Sequence, residues 1–75
     1  MNNAQTAEII KKCCADRQIS VKLLLEDCGI RKGLIYDLEK RDKVPSAETM
    51  EKIANRLGCS VDYLIGRTDN PEMNQ

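Results

Sequence analysis

The stretch from Ser20 to Arg41 constrains this chain more than any other part of it. Its first half places Leu24, Leu25 and Cys28 on one face of a helix, and its second half places Leu34, Ile35 and Leu38 on one face of another. Apolar residues recurring three and four positions apart mark helices. A single glycine, Gly29, joins the two patterns. Glycine accepts the left-handed backbone that ends a helix in a tight reversal. Two helices so joined are either an ordinary helical hairpin inside a small bundle or the unit that offers its second helix to the major groove of DNA.

Three further helices can be read around this pair. The first predicted helix spans residues 6–17, with Thr6 as its N-cap and Ile9, Ile10, Cys13 and Cys14 facing inward. Ser20 caps the second, and Ile19 and Leu24 flank that cap at the spacing of a hydrophobic staple. The third covers residues 32–40. Pro45 biases Val44 away from helix, so residues 41–45 are expected to form a loop. Ser46 caps the fourth, whose Met50, Ile53, Ala54 and Leu57 carry the cleanest helical period in the chain. Gly58 closes it. Ser60 caps a fifth helix over residues 61–65, Cys59 and Leu64 repeat the staple, and Gly66 ends it. The expected fold is all-α, a compact five-helix domain over residues 1–67, followed by a flexible tail over residues 68–75.

The composition narrows the function. Seventy-five residues make one small domain, and with Tyr36 and Tyr63 its only aromatics the core must be aliphatic and thin. A dimer interface would add stability to such a core. The 12 basic and 12 acidic residues cancel, which argues against a nonspecific polyanion binder. The balance is uneven: residues 17–43 hold seven Lys or Arg against five acids, and residues 44–75 hold three against five. That permits a phosphate-binding face without demanding one. Cys13, Cys14, Cys28 and Cys59 contain no Cys-x-x-Cys pair, and histidine is absent, so four reduced thiols are expected rather than disulfides or a metal site. No apolar run approaches the roughly 20 residues of a membrane span, and the N-terminus does not read as a signal peptide. No constellation for catalysis, no cofactor motif and no small-molecule site is evident.

Taken together, Ile19-Ser20, Gly29-Ile30, Ile35, Leu38-Glu39, Pro45-Ser46, Ile53-Ala54, Leu57-Gly58 and the closing Ser60-Val61-Asp62-Tyr63-Leu64-Ile65-Gly66 resemble the phage repressor and Cro type of helix-turn-helix domain, the XRE family. The resemblance runs from about Ile10 to Gly66. It implies a five-helix DNA-binding domain whose third helix is the recognition helix, acting as a dimer on a palindromic operator. Lys32, Gly33, Tyr36 and Asp37 would then lie on the open face of that helix, Lys32 donating to guanine and Asp37 accepting from cytosine. The alternative for these four is a plain solvated face. Val21, Lys22, Arg31, Lys40, Arg41 and Lys43 would meet phosphates, and Val61, Tyr63 and Ile65 would form a two-fold interface or else pack within the domain. The expected protein is a cytoplasmic regulator, bacterial or phage-encoded, whose partners are double-stranded DNA and a second copy of itself. It ends just after the DNA-binding domain, without a separate effector domain. The alternative is a protein-interaction module that keeps the fold without operator binding.

Several residues depart from the family pattern. Leu25 stands where alanine is usual, Arg31 where a Ser or Thr caps the recognition helix, Leu34 where a small hydroxyl residue is usual, and Arg41 where a loop glycine is usual. The arginine that in many relatives pairs with the glutamate matching Glu39 is replaced by Cys14. Glu39 is therefore expected to find donors in the loop from Arg41 to Val44 or in Arg17.

Overall fold

The computed structural model describes residues 3–41 and 45–70. Its elements run α1 (Asn3–Asp16), α2 (Val21–Cys28), α3 (Leu34–Tyr36) continued without a break by a π-helical turn (Asp37–Arg41), α4 (Ala47–Leu57) and α5 (Val61–Leu64). Among the described residues there are five helices and no strand. The loop expected over residues 41–45 falls largely on Asp42, Lys43 and Val44, which lie outside the described residues, as do residues 71–75 of the tail.

Local chemistry sets where the helices start and stop. Ser20, Ser46 and Ser60 each sit in extended backbone and accept a hydrogen bond from the amide three residues on, at Leu23, Thr49 and Tyr63. Each satisfies one of the otherwise orphaned amides of a first helical turn. The exits share one construction. After α2, the Gly29 amide donates to the Glu26 carbonyl and the Ile30 amide to the Leu25 carbonyl, with Gly29 at φ +68°. The same paired bonds, running six-to-one and five-to-two, close α4 at Gly58 and α5 at Gly66. They also close α1, where the left-handed residue is Gln18 at φ +58°. A side chain in that conformation crowds its own carbonyl, a cost glycine does not carry.

The start of α1 differs from the expectation. Thr6 is not a cap. The helix begins at Asn3, and Thr6 lies a turn inside it, fully buried beside Ala7 and Ile10. An N-cap signal is local, whereas the burial of Asn3 and Thr6 depends on packing against the rest of the domain.

The core is a single aliphatic cluster. It joins Ala7, Ile10 and Cys14 of α1, Leu24 and Leu25 of α2, Leu34 and Leu38 of the third helix, the α4 set Met50, Ile53, Ala54 and Leu57, and then Cys59 and Leu64. Leu25 and Leu34, both unusual for the family pattern, are both buried there. They stand on either side of the Gly29 turn, so the larger residues fill space that two small ones would leave. All four cysteines are free thiols. Burial pushes each of them up from the ordinary thiol value, Cys59 to about 11, so they remain protonated at neutral pH. On the outer side of α2, Asp27 accepts from Arg56 of α4 at 3.1–3.2 Å, a surface pair that orients the two helices more than it stabilises them.

Two substitutions test this account. Leu25→Ala removes a buried side chain from the hairpin and is expected to cost about 2–5 kcal/mol in denaturant unfolding; a neutral result would place Leu25 outside the core. Gln18→Gly relieves the left-handed turn after α1 and is expected to raise stability by about 1 kcal/mol, after allowance for glycine's greater unfolded-state entropy.

Candidate functional site

The hairpin α2–Gly29–α3 presents one continuous charged surface. It begins at the capped start of α2, where Val21 is half-buried and Lys22 is exposed. It continues through Arg31 and Lys32, both exposed, into the third helix. Tyr36 is the most exposed of the large apolar side chains described, at 55%. Lys40 and Arg41 lie at the helix's far end, both exposed. Lys43 lies outside the described residues.

The third helix starts without a side-chain cap, as the replacement of Ser or Thr by Arg31 foretells. Its first amides bond instead to backbone, Leu34 to the Arg31 carbonyl at 3.3 Å and Asp37 to the Gly33 carbonyl at 2.8 Å. Gly33 is half-buried in ordinary right-handed backbone, so its conformation does not call for glycine. Space does: a Cβ on Gly33 would come within 3.2 Å of the Arg31 guanidinium, at Nη1. Arg31 lies over Gly33 and its Nη2 pairs with Asp37 Oδ2.

Asp37 is where the structure departs most from expectation. It does not lie on the open face, available to a cytosine; it is 4% exposed. It comes three positions after the buried Leu34, on the adjoining row of the helix surface rather than opposite it. Two guanidiniums compensate its charge. Arg31 is on one oxygen, and Arg41 is 3.9 Å from the other. Arg41 also stands 5.8 Å above the Tyr36 ring, within range of a cation–π contact. Arg31, Asp37, Tyr36 and Arg41 thus form a connected set along the helix that the sequence pattern did not reveal.

Glu39 finds a donor that the sequence reading missed. Its Oε2 accepts from Lys11 Nζ of α1 at 2.7 Å; Asp42, Lys43 and Val44 of the expected donor loop lie outside the described residues. Lys11 stands one helical turn before the buried Cys14, so the cation has moved back along α1 from the position that relatives use. Arg17 is occupied elsewhere: its guanidinium covers Gly58, where an added Cβ would meet Nη2 at 2.7 Å. The hydrogen bond to Glu39 holds the Lys11 ammonium above its ordinary pKa, against a smaller opposing effect of desolvation.

A hollow of about 370 Å³ opens beside this surface, between the Gly29 turn and the start of α4, lined by Ile30, Arg31, Leu34, Asp37, Pro45 and Lys52 among others. The residues expected to form a two-fold interface, Val61, Tyr63 and Ile65, are all half-buried against the core, so each offers part of its surface outward. Leu23, on the outer side of α2, is exposed at 42% and was not singled out by periodicity. No helix among the described residues is long and apolar enough to cross a membrane.

Residues 10–70 match the family model described as the Cro/C1-type HTH DNA-binding domain. No curated protein and no solved structure gives a match.

The Lys11–Glu39 pair can be tested by pH. Because the folded-state pKa of Lys11 is raised, the stability it contributes is present in full below the ordinary lysine value and fades as pH climbs through the raised one. Lys11→Met keeps the aliphatic stem and removes the ammonium. We expect a lower melting temperature than the wild type at neutral pH and a narrowing gap at strongly alkaline pH, followed by circular dichroism. A gap independent of pH would assign the effect to packing.

Proposed function

The chain belongs to the Cro/C1-type helix-turn-helix DNA-binding domain family, and from that premise we propose that it is a sequence-specific transcriptional regulator acting as a homodimer on a palindromic operator. The observation that carries the reading is the hairpin through Gly29, which leaves Tyr36 open on the third helix, Lys32 open in the turn before that helix starts at Leu34, and Lys22, Arg31, Lys40 and Arg41 around it with at least part of each side chain outward. A major groove admits one α-helix, and the donors of a lysine or arginine suit guanine O6 and N7. Charges at the helix ends suit phosphates, and fix register rather than sequence. In this reading Lys32 reads a base, Gly33 allows close approach, Tyr36 packs on a base edge or sugar, and Val21, Lys22, Arg31, Lys40, Arg41 and Lys43 hold the backbone. Asp37 acts from inside, through its two arginines.

The neutral total charge fits selective binding. A protein that relied on nonspecific attraction would need a large positive excess over its whole surface. Here the positive excess, seven basic residues against five acidic, lies within residues 17–43. Dimerisation through α5 and its flanks, by Val61, Tyr63 and Ile65, would set the two recognition helices about 34 Å apart, one turn of B-DNA. Occlusion of a promoter is the simplest mode of action for a domain of this size, and repression is the mode we propose.

The decisive experiment is selection from a random duplex pool at low salt, followed by titrations of the selected duplex over a salt series. The wild type is expected to enrich a palindrome with half-sites about one helical turn apart. Lys22→Ala should weaken binding to all sequences alike and flatten the salt slope by about one unit for each phosphate it no longer neutralises. Lys32→Ala should cost about 1–3 kcal/mol and relax preference at one base pair of each half-site. If no sequence is enriched, the regulator reading fails and a protein-interaction module takes its place.

A further inference from the structure

Three features that each look unfavourable for a DNA-binding helix meet at one point. Arg31 stands in place of the capping hydroxyl, Gly33 has no side chain, and Asp37 is an acid on the reading helix. Taken singly, each weakens a DNA-binding helix. The first loses a cap, the second lowers helix propensity, and the third sets a negative charge near phosphates. In the structure they complete one another. The Asp37 carboxylate is buried and holds the Arg31 guanidinium. The guanidinium crosses Gly33 to reach it, through space that a single methyl group would crowd at 3.2 Å.

A buried carboxylate needs cations around it, since an uncompensated charge away from water is strongly destabilising. Asp37 therefore draws the Arg31 guanidinium towards it, through one ion-pair contact from Nη2 to Oδ2. Yet the Arg31 side chain remains 65% exposed, so most of its five donors stay open to a ligand. A guanidinium drawn to one side in this way is an oriented donor at the entrance to the third helix. A free arginine at the same place would be a mobile cation able to follow any phosphate.

We propose that Asp37 is a specificity-determining residue for DNA: by fixing Arg31 across Gly33, it trades indiscriminate phosphate attraction for an oriented donor. The inference rests on the DNA-binding reading above and deepens it. Two physical effects act in the same direction. The carboxylate's charge lowers attraction to phosphates at random sites. Pre-orientation of the fork removes the entropy cost of ordering it on a matching duplex, where bidentate geometry discriminates between partners. Arg41, 3.9 Å from the other carboxylate oxygen and resting on Tyr36, is held by the same group in a looser way.

The test compares affinities for the duplex selected by the wild type and for a scrambled duplex of equal length, at one fixed salt concentration. Asp37→Asn removes the charge and keeps the shape. It is expected to bind the scrambled duplex several-fold more tightly and the selected one more weakly, so that the ratio of the two falls about tenfold or more, the scale of one directed contact. Arg31→Lys keeps the charge and loses the fork, and should lower the ratio with the salt slope intact. Gly33→Ala puts a methyl group at the N-cap, where alanine is a poorer residue than glycine, and should melt slightly lower than the wild type; the crowded guanidinium shifts, and the ratio should be intermediate. If Asp37→Asn does not fold, Gly33→Ala and Arg31→Lys decide the matter. A ratio within twofold of the wild type in the folded variants overturns the proposal, as does a parallel loss on both duplexes together with a lowered melting temperature, which would make the set purely structural. A wild type that selects no sequence overturns the DNA-binding reading and this inference with it. A selective wild type with equally selective variants overturns this inference alone.

Discussion

The exits of α1, α2, α4 and α5 depend on one backbone device, a single residue in the left-handed region that turns the chain and returns two amides to the carbonyls of the turn just finished. Its importance follows from size. A chain of 75 residues with two aromatics cannot spend many residues on loops and still bury a core. The reversals after α1, α2 and α4 take only three to five residues between one helix and the next. They bring Ile10, Leu24, Leu38, Ile53 and Leu64 into one cluster with almost no exposed surface. The recognition helix inherits its position from that geometry. Gly29 sets its angle to α2, and Leu34 and Leu38 fix its rotation.

What could be read from the sequence follows the range of the interactions concerned. The caps at Ser20, Ser46 and Ser60, the exits at Gly29, Gly58 and Gly66, and the α4 core stripe all lie within a few residues of their partners, and all appear where expected. The residues that escaped prediction act over longer spans. Glu39 is served by Lys11, 28 residues away. Asp37 is a nearer case: Arg41 is its i+4 partner, and it is the burial of the carboxylate, not the pairing, that the apolar periodicity did not show. Thr6 sits inside α1 because packing favoured three further residues of helix over the local cap signal.

The candidate surface shows the same division. The outward placement of Lys22 and Tyr36 follows from helical arithmetic on the apolar positions, whereas Lys32 lies in the turn before the third helix and Arg41 within the π-helical turn, not in the loop expected there. The grouping of Arg31, Gly33 and Asp37 does not, because each of these, judged by itself for a DNA-binding helix, looks like a loss. Substitutions that break a local rule can compensate one another in space, and counting departures one at a time overstates their cost.

The link from Lys11 to Glu39 has a consequence for the order of events during synthesis. Chains fold as they leave the ribosome, N-terminal parts first. Lys11 emerges 28 residues before the carboxylate it receives, and α1 is complete before the third helix exists. The π-helical turn, with its poorly matched backbone bonds, is the part of the domain least able to hold its shape alone. But a domain this small folds as one unit, so the segment that would enter the groove of DNA takes its shape together with α1, which the Lys11–Glu39 bond joins to it.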